Sequence, residues 1–224
     1  MNDKLNIIIT GSTGMVGEGV LHECLKSDKV DKILVINRKS CGVTNPKLKE
    51  VIQEDLFEIP KYEEHLKGYD ACFYCLGTSS LGIDKITYYK ITFSLTIKIA
   101  EVLCKLNPDM VFCYVSGAGT DSSEQGDVAW ARVKGKTENQ LFKLSFKKAY
   151  AFRPSYIHPI KGLKNAHSFF KYIAWMYPIG RILFHNKFTN LKEIGPAMIS
   201  ATLYGYDKQK LYGKDITALA KMIK

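Results

Sequence analysis

With 224 residues, 46% of them hydrophobic, the chain has the size and composition of a single globular domain with a sizeable core. Its formal net charge of +10 arises from basic residues spread along the chain without a basic-aromatic module, so we expect no nucleic-acid partner. Contact with a membrane surface is a weaker alternative than binding of phosphate-bearing small molecules. No apolar run reaches the roughly 18 residues of a membrane span and no export signal precedes the first strand, so the sequence predicts a cytoplasmic protein.

The stretch from Leu5 to Val20 combines an apolar strand, a glycine-rich turn and the start of an apolar helical pattern. Gly11 permits a tight turn, Gly14 lets backbone N–H groups approach a phosphate, and Gly17 lets the helix pack close to the strand. The positive end of the helix then faces the anion. This order predicts a dinucleotide site. The residues expected to form it are Gly11, Ser12, Thr13, Gly14, Met15, Val16 and Gly17.

The second strand, Lys32 to Asn37, ends in residues that bear on the choice of cofactor. NAD enzymes of this type place a carboxylate about 20 residues past the glycines, where it accepts a hydrogen bond from the ribose 2′-OH. Here that position holds Asn37, followed by Arg38 and Lys39. A guanidinium binds a 2′-phosphate through two hydrogen bonds, so the sequence favours NADP(H) over NAD(H).

Strands and helices alternate through the rest of the N-terminal 150 residues. Further strands are predicted at Leu48–Ile52, Tyr69–Leu76, Met110–Val115 and Lys148–Phe152, and helices at Tyr62–Lys67, Ile86–Leu106 and Asp127–Leu144. This alternation predicts an α/β fold with a doubly wound, Rossmann-like parallel sheet. We expect one NAD(P)-binding domain over residues 1–224, in which residues 155–210 form a small C-terminal helical cap over the cleft.

Cysteine and histidine positions give no metal site. Cys72 and Cys75 have a Cys-x-x-Cys spacing, but they lie in a predicted strand, where residues three apart point to opposite faces. The five histidines lack ligand spacing. Tyr156 and His158, which follow the sixth strand, are further candidates for the cleft.

Taken together, these motifs resemble the short-chain dehydrogenase/reductase superfamily in its atypical or extended, epimerase/dehydratase-like branch. The chain is most similar to the small atypical NADPH-binding proteins related to the Tat-interacting protein of 30 kDa. The resemblance implies an adenine-contact pair, Asp55 and Leu56, and an active-site serine, Ser116. Further cofactor contacts that it implies are Leu76, Gly77 and Thr78 after strand four, and Arg153, Pro154 and Ser155 after strand six.

The chain departs from the superfamily at the catalytic Tyr-x-x-x-Lys motif, where it has Trp130 and Lys134. In the family the lysine binds the nicotinamide ribose and lowers the tyrosine's pKa; an indole N–H does not titrate usefully. Three functions therefore stay open: an NADP(H)-dependent oxidoreductase acting on a small carbonyl or alcohol through Ser116, Lys134 and the Trp130 position, an NADPH-sensing regulatory protein, or an isomerase or dehydratase. We expect a monomer or homodimer and an unidentified small-molecule substrate.

Overall fold

The structure, a computed structural model, describes residues 4–158 and 188–223. The strands of this part are β1 (Leu5–Thr10), β2 (Val30–Asn37), β3 (Leu48–Ile52), β4 (Ala71–Tyr74), β5 (Val111–Val115), β6 (Lys148–Arg153), β7 (Tyr156–His158), β8 (Phe188–Asn190) and β9 (Lys210–Tyr212). The helices are α1 (Met15–Lys26), α2 (Lys85–Tyr89), α3 (Thr96–Leu106), α4 (Ala129–Leu141), α5 (Leu191–Tyr204) and α6 (Gly213–Ala220). None of the helices in these two ranges has the length and apolar character needed to cross a membrane.

Seven parallel strands form the main sheet in the order β3-β2-β1-β4-β5-β6-β9. Ile8 at the centre of β1 pairs with Leu34 of β2 on one side and with Cys72 of β4 on the other. The chain winds outward in opposite directions from the β1–β4 boundary, which is the topological switch point where open α/β sheets bind ligands. The predicted doubly wound α/β fold is therefore confirmed. β7 and β8 make a separate parallel pair.

Alternate residues of the central strands supply two separate apolar layers, because neighbouring side chains of a strand point to opposite faces. Ile7 and Ile9 pack with α1, α5 and α6 on one face. Ile8 packs on the other face with α3 and with Leu56 of the 3₁₀ segment. Full burial of each such aliphatic side chain contributes about 1.5–3 kcal/mol, so the sheet is held from both sides.

Two predicted helices differ from the observed ones in their internal geometry. The predicted helix Ile86–Leu106 is a helical run from α2 to α3, interrupted by a π-helical turn over Lys90–Leu95. The predicted helix Tyr62–Lys67 is the end of a 3₁₀ segment, Leu56–His65, in which Pro60 removes one backbone donor.

The described C-terminal part of the predicted cap, residues 155–210, contains helix α5. α5 packs beside α1 on one face of the sheet, and a Cβ at Gly19 of α1 would overlap the Leu191 side chain of α5. Helix α5 is rich in apolar residues because it completes a layer of the core, whereas a lid over the cleft would keep a solvated face. Residues 159–187, the middle of the predicted cap, lie outside the described part of the chain.

Candidate functional site

The turn between β1 and α1 has the geometry of an anion-binding loop. Gly11 has φ +71°, in the left-handed region that favours glycine, and its carbonyl accepts the Gly14 N–H at 3.0 Å. A Cβ at Gly17 would overlap the Gly11 carbonyl oxygen, so only glycine lets α1 start this close to β1. Gly14 is the N-cap of α1 and provides no capping side chain. The first N–H groups of the helix therefore point toward the turn without a side-chain acceptor.

A continuous groove runs from this turn along the carboxyl ends of β1, β2 and β4. Its central part has a volume of about 220 Å³ and lies between the glycine turn, the end of β2 and Leu76. One arm of about 800 Å³ extends from Arg38 to Gly42, and another of about 240 Å³ extends along Asp55 and Thr78. Arg38 borders all three parts. The groove thus occupies the switch point of the sheet, where the sequence predicted the dinucleotide.

The predicted cofactor residues divide into those that line the groove and those that support it. The lining residues are Gly11, Thr13, Gly14, Asn37, Arg38, Asp55, Leu56, Leu76, Gly77 and Thr78. Ser12 is buried beneath the turn, and Met15 and Val16 pack against the core with α1. These three residues and Gly17 therefore shape the turn from behind.

The end of β2 carries a buried amide next to exposed charges. Asn37 is 2% exposed, and its Nδ2 donates to Ser12 Oγ at 2.7 Å, while its Oδ1 has no partner. If the amide is rotated by 180°, Nδ2 takes the position of Oδ1 and has no partner there. In either orientation, one buried polar atom is therefore left for a ligand. Arg38 and Lys39 are exposed beside it, with the carboxylate of Glu54 on the same arm of the groove.

A second cluster lies at the end of β5, next to the groove because β4 and β5 are adjacent parallel strands. Ser116, 8% exposed, shares a hydrogen bond of 2.9 Å with the Thr120 hydroxyl. Lys134 Nζ lies 3.4 Å from both the Tyr114 hydroxyl and the Val115 carbonyl oxygen. Burial lowers the pKa of Lys134 to about 8, an effect that Glu138 partly opposes. Ser116 and Lys134 Nζ therefore both lie at the carboxyl end of β5.

Trp130 lies one helical turn before Lys134 and packs on the loop after β5. A Cβ at Gly119 would be 2.9 Å from the far edge of the indole ring, so this glycine leaves space for the tryptophan. The half-buried ring borders the small-residue loop and brings no titratable group to it.

The Arg153 guanidinium is held by other side chains of the protein, although the family resemblance implies that it contacts the cofactor. Its guanidinium is 3% exposed and forms a buried ion pair with Glu138, which is fully buried. It also donates to the Tyr212 hydroxyl at 2.8 Å and to Ser122 Oγ at 2.7 Å. Pro154 is buried and its carbonyl accepts the Ala118 N–H, whereas Ser155 is exposed. A side-chain contact of Arg153 with the cofactor is therefore not supported by this geometry.

Several residues of the site were missed from the sequence. Cys75 and Ile36 line the centre of the groove, and Glu54 its larger arm. No sequence motif marks Tyr114, whose phenol contacts Lys134 from strand β5. Ile36, Glu54 and Cys75 each adjoin a predicted residue in the sequence, whereas only the packing of α4 on β5 shows that Tyr114 lies beside Lys134.

The chain is similar to Protein FMP52-1, mitochondrial, of Scheffersomyces stipitis, with 26% identity over 72% of this chain and 73% of that protein. It spans 65% and 66% of the length of two further relatives called FMP52, from Chaetomium globosum and Debaryomyces hansenii, which are likewise named mitochondrial. The expected cytoplasmic location is thus contradicted. That expectation rested on the residues before the first strand, which do not distinguish between compartments inside a cell.

Solved structures share the fold at low identity. A UDP-N-acetylglucosamine 4-epimerase from Methanobrevibacter ruminantium M1, in complex with UDP-N-acetylmuramic acid, superimposes with a TM-score of 0.66 at 18% identity, over 93% of this chain and 75% of that one. The Bordetella bronchiseptica enzyme WbmF, in complex with NAD+, gives 0.66 at 13% identity over 98% and 77%.

The family model described as "NAD dependent epimerase/dehydratase family" matches residues 7–133, from β1 to the middle of α4. This range is more than half of the chain and contains the glycine turn, the groove and the Ser116 loop. The resemblance to the extended short-chain dehydrogenase/reductase branch is confirmed, and the chain belongs to the NAD dependent epimerase/dehydratase family.

Proposed function

We propose that the protein binds NADP(H) in the groove and acts as an oxidoreductase on a small carbonyl or alcohol compound. The observation that carries this proposal is the coincidence of the uncapped start of α1, the tight Gly11–Gly14 turn and the groove at the switch point of the sheet. When bound, a nicotinamide dinucleotide supplies hydride exchange at its nicotinamide ring.

The residues present fit such a group. The N–H groups of the turn and of the first turn of α1 are donors for a pyrophosphate. Asn37 offers a buried polar atom without a protein partner at the place where the adenosine ribose would lie. A buried polar group of this kind costs about 1–3 kcal/mol when unsatisfied, so a ligand that satisfies it gains affinity.

Preference for the 2′-phosphate rests on the charges of the larger arm of the groove. Arg38 and Lys39 supply two positive charges, and Glu54 opposes them with one negative charge. No carboxylate stands at the Asn37 position, which is where the 2′-OH of NAD would otherwise be recognised. The balance supports NADP(H) over NAD(H).

A second function, NADPH sensing without turnover, is favoured by one observation. The position of the family's catalytic tyrosine holds Trp130, whose indole cannot deliver a proton near neutral pH. Loss of positioned acid catalysis typically lowers a rate by about 10² to 10⁴-fold. Turnover then depends on another acid at the end of β5.

Calorimetric titration with NADPH and NADH tests cofactor binding. In Gly14→Val the new Cβ would lie 3.4 Å from the Gly11 carbonyl oxygen, an ordinary contact, and φ −105° suits valine. The variant should fold normally but lose at least about tenfold in affinity, or 1.4 kcal/mol, because its side chain blocks the phosphate. Unchanged affinity in a folded Gly14→Val protein would place the cofactor elsewhere.

Arg38→Asp tests the choice of cofactor, with Lys32→Asp as its control. Lys32 is exposed on the same strand, outside the residues that line the groove, and its substitution changes the net charge equally. Arg38→Asp should weaken NADPH far more than NADH, whereas Lys32→Asp should weaken both slightly and equally. Equal affinities of the unaltered protein for NADPH and NADH would contradict the preference.

A further inference from the structure

We propose that Lys134 is itself the proton donor of this site, with its ammonium held by the Tyr114 hydroxyl and the Val115 carbonyl at the end of β5. The inference rests on the proposed oxidoreductase function. It assigns to Lys134 the step that the family gives to a tyrosine, for which this chain has Trp130.

The geometry at Lys134 leaves one proton for the cleft. An ammonium has three N–H donors, and two acceptors, the Tyr114 hydroxyl and the Val115 carbonyl oxygen, lie 3.4 Å from Nζ. The ammonium also lies over the Tyr114 ring, 5.1 Å from its centroid. These contacts hold Nζ at the carboxyl end of β5, the strand that Ser116 directly follows.

The phenol of Tyr114 is not a competing acid. It is 2% exposed, and burial raises its pKa well above the ordinary value, with Tyr74 and Tyr88 adding to the effect. Its hydroxyl therefore keeps its proton and accepts from Lys134 Nζ, 3.4 Å away.

The charges around Lys134 are consistent with a lysine that releases a proton near neutrality. Glu138, one turn later on α4, is the carboxylate that favours its charged form. That carboxylate is paired with Arg153 of β6, which limits its effect. Desolvation is the larger influence and lowers the pKa of Lys134 to about 8.

The step balances in atoms and electrons. The carbonyl carbon gains a C–H bond from a hydride of the reduced dinucleotide, and the C=O π pair forms an O–H bond with a proton from Lys134 Nζ. Lys134 is left as a neutral amine, which keeps two N–H groups for its acceptors and regains a proton from solvent. Alcohol oxidation uses the same amine as a base.

Trace acetylation of the protein without cofactor tests the acidity of Lys134 independently of any turnover. Acetic anhydride reacts with the neutral amine, so the acetylated fraction of each lysine, read by mass spectrometry against pH, gives its midpoint. We expect half-maximal reactivity of Lys134 near pH 8. In Tyr114→Phe the ammonium loses an acceptor and the midpoint should fall. Reactivity that rises in parallel with the exposed Lys32 and Lys98 would overturn the proposal.

Two substitutions of Lys134 separate proton donation from cofactor binding. Lys134→Arg keeps a cation with N–H donors, but a guanidinium does not deprotonate at these pH values. With 4-nitrobenzaldehyde as the probe, Lys134→Arg should bind NADPH within about threefold of the unaltered protein. Its NADPH oxidation should fall about 100-fold or more, as in Lys134→Met.

The outcomes distinguish the two proposals. Turnover of Lys134→Arg at the unaltered rate overturns the role of Lys134 alone. An unaltered protein that binds NADPH but leaves it unoxidised overturns the oxidoreductase function, and the role of Lys134 with it, in favour of NADPH sensing. Absence of NADPH binding in the unaltered protein would instead overturn the proposed function. The acetylation midpoint then still decides whether Lys134 is acidic.

Discussion

Replacement of Arg153 by methionine should destabilise the fold and leave the cofactor groove intact. The guanidinium and the Glu138 carboxylate are 3% and 0% exposed, and they share hydrogen bonds through Arg153 Nε at 3.0 and 3.2 Å and through Nη2. Methionine fills much of the same space but leaves the carboxylate as a buried charge without its partner.

The magnitude follows from that unpaired charge. Breaking a buried ion pair by removing one partner typically costs about 3–5 kcal/mol. A chain of this size loses about 2–4 °C of midpoint per kcal/mol, so the thermal midpoint should fall by about 6–20 °C. The hydroxyls of Tyr212 and Ser122 lose a donor as well, which places the effect toward the upper part of the range.

Thermal unfolding followed by circular dichroism measures the loss, with Glu138→Gln as the matched single variant. Both substitutions should be strongly destabilising, and the double variant should lose less than their sum, because the second change no longer breaks a pair. NADPH affinity of Arg153→Met, measured well below its midpoint, should be unchanged. An unaltered midpoint combined with a large loss of NADPH affinity would show that the guanidinium serves the cofactor, as the family resemblance implies.

Three further substitutions test other parts of the molecule. Glu54→Gln should raise NADPH affinity severalfold in calorimetry and leave NADH affinity unchanged, because it removes the carboxylate from the arm with Arg38. Trp130→Tyr should oxidise NADPH no faster than Trp130→Phe in a turnover assay, and a gain of about tenfold or more would return the acid role to a phenol. Hydrogen bonds from Ser123 and from the Gly126 N–H lower the pKa of Asp121 from 3.8 to about 2. The ionised carboxylate therefore stabilises the folded protein above pH 3.8, and this stabilisation is lost as the pH falls toward 2. Asp121→Asn should accordingly make stability depend less on pH in that window, as measured by acid unfolding.

The parts of the site that could be predicted are those determined by neighbours in the sequence. The strand, the glycine turn and the start of α1 lie within about 20 residues, and their order alone indicates close approach of backbone to a phosphate. Asn37 and Arg38 follow from the same unit, because the end of β2 lies beside the turn in every parallel arrangement of this kind.

What could not be predicted depends on partners distant in the chain. Arg153 binds Glu138, Ser122 and Tyr212, which are 15, 31 and 59 residues away in the chain. The sequence around Arg153 does not indicate whether its guanidinium binds a carboxylate of α4 or a ligand. The same limit applies to the C-terminal part. The apolar pattern of Leu191–Tyr204 indicates a helix with a large buried surface, but only the packing shows that α1 covers it.

Trp130 at the position of the family's catalytic tyrosine changes which neighbouring side chain can donate a proton. Trp130 and Lys134 share a helix face; the Trp130 ring packs on Gly119, and Lys134 Nζ lies near the Val115 carbonyl oxygen. Because the Trp130 indole occupies the tyrosine position and packs on Gly119, Lys134 has no phenol on α4 to activate. Its ammonium instead contacts the Tyr114 hydroxyl of β5. A lysine desolvated in this way, with no tyrosine beside it on its own helix, is left as a titratable group at the carboxyl end of β5. The loss of the family's acid therefore changes which residue can donate a proton and need not abolish the reaction.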